Sequence, residues 1–417
     1  MTGARTEHSP RQDTTVNDRQ ETIMTNLSAP EPSQEEVLRK AQKAFHDADL
    51  LSETGHMEDA VEALTQALDL YRGLPGTEQN QALCLGSTGF NLYEMGRYTD
   101  AFNFYVDALE IYHTLPDAEQ DRAVCLDRIG LTLSELGRNE NALNFYRGAL
   151  EAYRTLPEAQ RDQASCLNGI GNAQRTAGRD EEALDAYRQA LEIYRALPEA
   201  RRGQASCLYN IGFTLGQTGC YEEALDAYRQ ATDLYTQVAG TWQNQVDCLY
   251  CTGIILNELE RYEEALTTFQ QILDLYTQVT GTGHQQADCL YCTAFILRTL
   301  GRYPEALDAY SQATDLYTQV AGTDHQQADC LHNTGNVLRR QGRDEEALEA
   351  YQRAMDLYTQ VAGTEQDQAD CLLSTGGTLR TTGRHEEALT AYRQALDLYR
   401  QVTGTGHQQA ICLYNIG

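Results

Sequence analysis

Lysine is almost missing from this 417-residue sequence: of its 32 basic residues, only Lys40 and Lys43 are not arginine. With 61 acidic residues, the formal net charge is −29. So acidic a surface repels a phosphate backbone, which argues against a general nucleic-acid or anionic-membrane binder. An anionic partner would have to meet a local cluster of arginines instead. Missing too is any run of roughly 18 apolar residues, so no membrane-spanning helix is expected. The opening stretch MTGARTEHSPRQDTTVNDRQETIMTNLSAP lacks the apolar core of a signal peptide. It is polar, and residues 1–34 read as a disordered leader. The expected location is cytoplasmic, with the twelve cysteines reduced. No nucleophile–base constellation, phosphate loop, Gly-rich dinucleotide turn or H-E-x-x-H is present, so neither catalysis nor a cofactor is expected.

What the chain does have is repetition. Cysteines fall at 84, 125, 166, 207, 248, 289, 330, 371 and 412, each followed by Leu and each 41 residues from the next. A fixed period in this range marks an array in which each unit buries its apolar face against its neighbours. Five residues after the Cys stands Gly, with Ala294 the exception; twelve after stands Gly again, with Glu260 the exception. Seventeen after is always Ala (Ala101 to Ala388), and twenty-eight after is always Tyr (Tyr112 to Tyr399).

These spacings describe two helices per unit. In CLYNIGFTLGQTG, Cys207, Leu208, Ile211 and Leu215 share one side at about 100° per residue. Gly212 would admit the second helix closely, and Gly219 would supply the left-handed residue that ends the first. In YEEALDAYRQATDLYTQ, Ala224, Tyr228, Ala231 and Tyr235 form a buried stripe, and Glu222 and Glu223 sit in the first turn, where the macrodipole favours them. Thr282/Gln285, Thr323/Gln326 and Thr405/Gln408 fit a capping box opening the next first helix. The spacing predicts nine pairs, 41–81, 82–122, 123–163, 164–204, 205–245, 246–286, 287–327, 328–368 and 369–409, and the start of a tenth at 410–417. The first unit departs from the pattern, with Lys43 at the Cys position, as a polar terminal cap would. A chain that stops part-way through a first helix would be expected to continue with further repeats or another domain.

Gly212, Leu215, Gly219, Tyr221, Ala224, Tyr228 and Ala231 resemble the tetratricopeptide-repeat (TPR) signature, with the 41-residue period of long repeats such as those of kinesin light chain. The resemblance covers residues 41–417. It implies an all-α, right-handed superhelical solenoid of antiparallel helix pairs across 35–417, with the first helices lining a concave groove. With the Cys as position 3, the groove positions are 2, 5, 9, 12 and 13, a sector of about 100°.

Reading those positions down the chain gives the candidate peptide site. Arg175, Asn257, Arg298, Arg339 and Arg380 occupy position 12, and Arg340 position 13. Tyr209/Phe213, Tyr250, Tyr291/Phe295 and His332/Asn336 form a floor at positions 5 and 9. Asp247, Asp288, Asp329 and Asp370 form the opposite edge, roughly 15 Å across ten residues of helix. That width suits a protein or peptide ligand, an extended segment or short helix, with Arg gripping its carboxylates. Plainer readings stand beside this one: Asp near a helix start and Arg near a helix end complement the dipole. The turn residues Arg97, Arg138, Arg179, Arg261, Arg302, Arg343 and Arg384 read as solvated helix-terminal arginines.

Two C-x-x-C pairs, Cys248/Cys251 and Cys289/Cys292, admit a metal or redox reading, but each lies within one helix, where packing explains them better. His284, His325 and His407 are a repeat or more apart, too dispersed for a metal cluster. The expected function is a non-catalytic scaffold whose groove captures a peptide segment, acidic in character. The alternative is a sensing or substrate-docking arm of a larger enzyme or signalling protein whose effector domain lies beyond Gly417.

Overall fold

The structure, a computed structural model, describes residues 33–279 and 281–417. Most of the leader expected at 1–34 lies outside these; Ser33 caps the first helix by accepting a hydrogen bond from the Glu36 N–H at 3.2 Å. The chain divides after Pro157 into two compact units. In the first, α1 (Gln34–Glu53) pairs with α2 (Met57–Arg72), α3 (Glu78–Glu94) with α4 (Tyr98–Thr114), and α5 (Glu119–Glu135) with α6 (Asn139–Thr155). The second pairs α7 (Gln160–Thr176) with α8 (Asp180–Arg195), α9 (Arg201–Gln217) with α10 (Tyr221–Tyr235), and α11 (Trp242–Glu258) with α12 (Tyr262–Tyr276). It continues with α13 (Gly283–Thr299) and α14 (Tyr303–Tyr317), α15 (Asp324–Arg340) and α16 (Asp344–Tyr358), α17 (Glu365–Thr381) and α18 (His385–Tyr399), and α19 (Gly406–Ile416). Among the described residues there is no strand. First helices start about four residues before the repeat boundaries drawn from the cysteines, as α3 does at Glu78 and α19 at Gly406.

Within a pair, two glycines do different work. A Cβ on Gly212 would meet the Tyr228 ring at 3.1 Å and the Ala224 carbonyl at 3.2 Å, so the bare backbone sets how closely α9 and α10 approach. Gly219 turns the chain between them at φ 81°. Glu260 takes the same left-handed conformation at φ 58°, where an L side chain costs about 1–2 kcal/mol. The core is the Ala and Tyr stripe of the second helices: Ala224, Tyr228, Ala231 and Tyr235 are all buried.

The capping box is corrected. Thr323 lies buried before α15, but its hydroxyl points backward, donating to the carbonyls of Tyr317 at 2.6 Å and Val320 at 2.9 Å. Gln327, four residues on, donates to the Thr323 hydroxyl at 3.2 Å, while Gln326 takes no part. The pairs Thr282/Gln286 and Thr405/Gln409 repeat this. Where Thr stands before a first helix, it satisfies carbonyls at the end of the preceding second helix, which outweighs capping the next one.

The turn arginines are not merely solvated. Arg261, Arg302, Arg343 and Arg384 grip Glu264, Glu305, Glu346 and Glu387 at 2.5–2.6 Å. Arg261, Arg302 and Arg384 also reach back to Glu222, Glu263 and Glu345 of the preceding repeat at 3.3–3.7 Å.

Candidate functional site: the face of the first helices

In the second compact unit, α7, α9, α11, α13, α15 and α17 carry all the candidate site residues, and the contacts between these helices define one face. Neighbouring helices are joined along this face by polar contacts with an offset of 42 residues. Asn210 donates to Asn168 at 3.0 Å, and Asn333 to the Tyr291 hydroxyl at 3.1 Å. Tyr250 shares a hydrogen bond with the Cys292 thiol at 3.6 Å, and His332 one with Ser374 at 3.2 Å. Position 5 of one repeat thus meets position 6 of the next. This ladder explains the C-x-x-C pairs: Cys251 and Cys292 occupy the rung that Asn210, Asn333 and Ser374 occupy elsewhere. Burial raises the pKa of all four thiols, that of Cys248 to about 12, which keeps them protonated and poor ligands at neutral pH. Among the described residues, no group of three or more His, Cys, Asp or Glu is placed to hold a metal.

The floor is aromatic and doubly layered. Tyr209, Tyr250, Tyr291 and His332 each lie 5.7–6.0 Å, ring centre to ring centre, from Tyr228, Phe269, Tyr310 and Tyr351 of their second helices. Tyr250, Ile254 and Phe295 remain 37–39% exposed, an apolar surface open to a ligand. Phe213 packs beside Tyr209, and Asn336 accepts a hydrogen bond from the Tyr351 hydroxyl at 2.9 Å. Burial pushes the His332 imidazole down to about 4, so it presents a neutral ring.

The expected Asp edge is corrected. Asp288 and Asp329 each accept a hydrogen bond at 2.5 Å from Tyr317 and Tyr358, the tyrosines twenty-eight residues after the cysteines, and Asp370 accepts one from Tyr399. These carboxylates brace the second helix of their own repeat. A buried hydroxyl that needs an acceptor accounts for these three, whereas Asp247 makes no such bond among the described residues. His325 adds to the brace, lying 3.4 Å from Asp329 and 3.1 Å from Asp367 of the next repeat.

The arginines are arranged otherwise. Arg175 lies over the Phe213 ring of the next repeat at 4.9 Å, and Arg298 over Phe295 at 4.6 Å. Asn257 shares their row, its Oδ1 buried and unpartnered. Arg339 passes over Gly377, and Arg339, Arg340 and Arg380 are exposed. Among the described residues, no carboxylate lies within 4.0 Å of Arg175, Arg298, Arg339, Arg340 or Arg380, whereas Arg261, Arg302, Arg343 and Arg384 at the turns are each paired.

Consecutive antiparallel helix pairs at a fixed period define the class: a helix-pair repeat protein. The tetratricopeptide-repeat pattern matches residues 48–113, 122–196, 203–278, 286–360 and 368–409, well over half of the chain. The chain belongs to the tetratricopeptide-repeat family. Among curated proteins there is no match. Its fold is similar to that of apo RapI, at 14% identity over 87% of this chain and 98% of that one, with a TM-score of 0.59. It is also similar to the apo quorum sensor NprR from B. thuringiensis, at 19% identity over 86% and 87%, with a TM-score of 0.52. No helix among the described residues is long and apolar enough to cross a membrane.

Proposed function

We propose that this protein is a non-catalytic interaction scaffold and that the first-helix face of residues 158–417 binds an acidic, extended segment of a partner protein. The observation that carries the reading is the contrast between arginines: in a chain of net charge −29, Arg97, Arg261, Arg302, Arg343 and Arg384 at the turns hold carboxylates, whereas Arg175, Arg298, Arg339, Arg340 and Arg380 on this face hold none. Unpaired guanidinium groups beside the exposed rings of Tyr250 and Phe295 suit a ligand that alternates carboxylates with apolar side chains. His332 is neutral and Asp288, Asp329 and Asp370 are engaged, so the arginines, with Asp247, are the charged groups of the site left to a ligand.

The test uses the immobilised full chain and a pool of degenerate octapeptides, with the composition of the retained fraction read by sequencing. Wild type should enrich Asp and Glu. Arg339→Glu with Arg380→Glu should weaken retention of acidic peptides at least tenfold, about 1 kcal/mol or more per partly exposed contact. Arg353→Glu with Arg393→Glu, exposed on the second helices, carries the same charge change and should leave retention intact. Equal loss in both variants would reduce the effect to net charge, and no acidic enrichment in wild type would overturn the proposal. A sensing role would use the same groove; NprR, which shares this fold, is a quorum sensor.

A further inference from the structure

On α3 one residue departs from what α9, α11 and α13 carry. Where α9, α11 and α13 carry Tyr209, Tyr250 and Tyr291, α3 carries Gly86. Those three helices, and α15 with His332, fill this place with a ring packed on the second-helix aromatic, as Tyr209 packs on Tyr228 at 5.7 Å. Nothing lies within 4 Å of where a Gly86 Cβ would stand. Tyr105, the second-helix aromatic of this repeat, instead forms part of the wall of an open cavity of about 410 Å³.

The cavity has an apolar side and an acceptor side. Leu83, Phe90 and Val124 line it while 38–40% exposed, high for large apolar side chains. Asp49, Glu53 and Asp121 line it as well, and among the described residues none has a basic side chain within 4.0 Å. Burial raises the pKa of both Asp49 and Asp121; His46 draws Asp49 down and Glu53 pushes it further up. The cavity's one cation, Arg128, is turned over the Phe90 ring at 5.9 Å. Asn91, only 2% exposed, donates its amide to the Ser87 carbonyl at 2.9 Å, while its Oδ1 is buried with no donor. Carboxylates therefore outnumber cations, three to one among the lining residues, beside an exposed apolar wall.

We propose that this cavity binds a basic side chain, Arg or Lys, carried by a partner polypeptide. Its methylene stem lies on Leu83, Phe90 and Val124, and its charged head meets Asp49, Asp121 and the Asn91 Oδ1. Long basic side chains combine these two surfaces in one group, and the adjacent rings of Phe90 and Tyr105 favour a cation further. The charge sought is opposite to that sought by the arginine face, and the site lies in the other compact unit, so the inference does not rest on the acidic-segment reading.

The immobilised full chain is again presented with the pool of degenerate octapeptides. Wild type should enrich Arg or Lys next to an aliphatic residue, separately from its acidic enrichment. Gly86→Tyr installs the side chain that α9, α11, α13 and α19 carry and should cut the basic enrichment at least fivefold while leaving acidic enrichment unchanged. Asp49→Asn with Asp121→Asn removes the charge at constant volume and should do the same, which decides the matter even if Gly86→Tyr disturbs folding. Arg339→Glu with Arg380→Glu should spare the basic enrichment. Absence of basic enrichment in wild type, or its survival in the Asn pair, would overturn the proposal. So would a dimer in light scattering that Gly86→Tyr dissociates, since a second copy would then be the occupant.

Discussion

Replacing Tyr358 by Phe removes one hydroxyl from a residue that is 1% exposed. That hydroxyl donates to Asp329 at 2.5 Å, inside a network in which His325 lies 3.1 Å from Asp367 and edge-on to the Tyr358 ring at 5.7 Å. A hydrogen bond to a charged group contributes about 1.5–3 kcal/mol. Burial raises the Asp329 pKa despite this bond, so desolvation outweighs the gain and the lower half of the range applies. Asp329→Ala would strand the Tyr358 hydroxyl in the core, at about 1–3 kcal/mol. In the double variant neither group remains unpaired, and its cost should fall short of the sum by about 1–2 kcal/mol. Because a repeat array loses stability locally, the assay is hydrogen exchange followed by mass spectrometry, with faster exchange expected in α13–α18. Costs that add within about 0.5 kcal/mol would refute the brace, as would exchange that rises equally throughout residues 158–417.

Three further outcomes are expected. Gly335→Ala would place a Cβ 2.5 Å from the Tyr351 ring, whose hydroxyl is tied to Asn336; overpacking of about 1–3 kcal/mol should exceed the gain in helix propensity, and a higher melting temperature would contradict this. Glu260→Gly should raise stability by about 1 kcal/mol in thermal melts, since it relieves an exposed left-handed residue where most repeats already use glycine. Cys251→Ser with Cys292→Ser should leave helicity and melting nearly unchanged, because Ser374 already serves at that rung; metal content by atomic emission should be nil, and stoichiometric zinc would overturn the packing account.

The period made most of the fold legible. A 41-residue step repeated in Cys, Gly, Ala and Tyr locates helix pairs, and Gly219 and Gly212 act as their positions imply. The Thr323 misreading arose because a hydroxyl before a helix can point either way, and sequence does not show that the Tyr317 carbonyl behind it is buried. The Asp288–Tyr317 contact was hidden for a related reason: 29 residues separate its partners on two helices, and each side chain has an adequate explanation alone. The 42-residue ladder crosses from one repeat to the next, so no single repeat displays it, though Asn168/Asn210 and His332/Ser374 are polar pairs at that spacing. Gly86 was the available signal for the cavity, the one residue without a side chain in a column that otherwise holds Asp127, Asn168, Leu373, His332 and tyrosines.

The ladder also sets a spacing for whatever lies along it. Its rungs hold successive first helices in contact, at the roughly 8–10 Å between axes typical of packed helices. A polypeptide in the polyproline-II conformation advances roughly 3.1 Å per residue with three residues to the turn. Such a segment laid across the face would therefore bring about every third side chain to an equivalent place, opposite Tyr209, Tyr250, Tyr291 and His332 in turn. His332 replaces the tyrosine of the three preceding repeats while a contact to the next repeat, at Ser374, is kept, so the face can change the ring it presents at one repeat without altering the others.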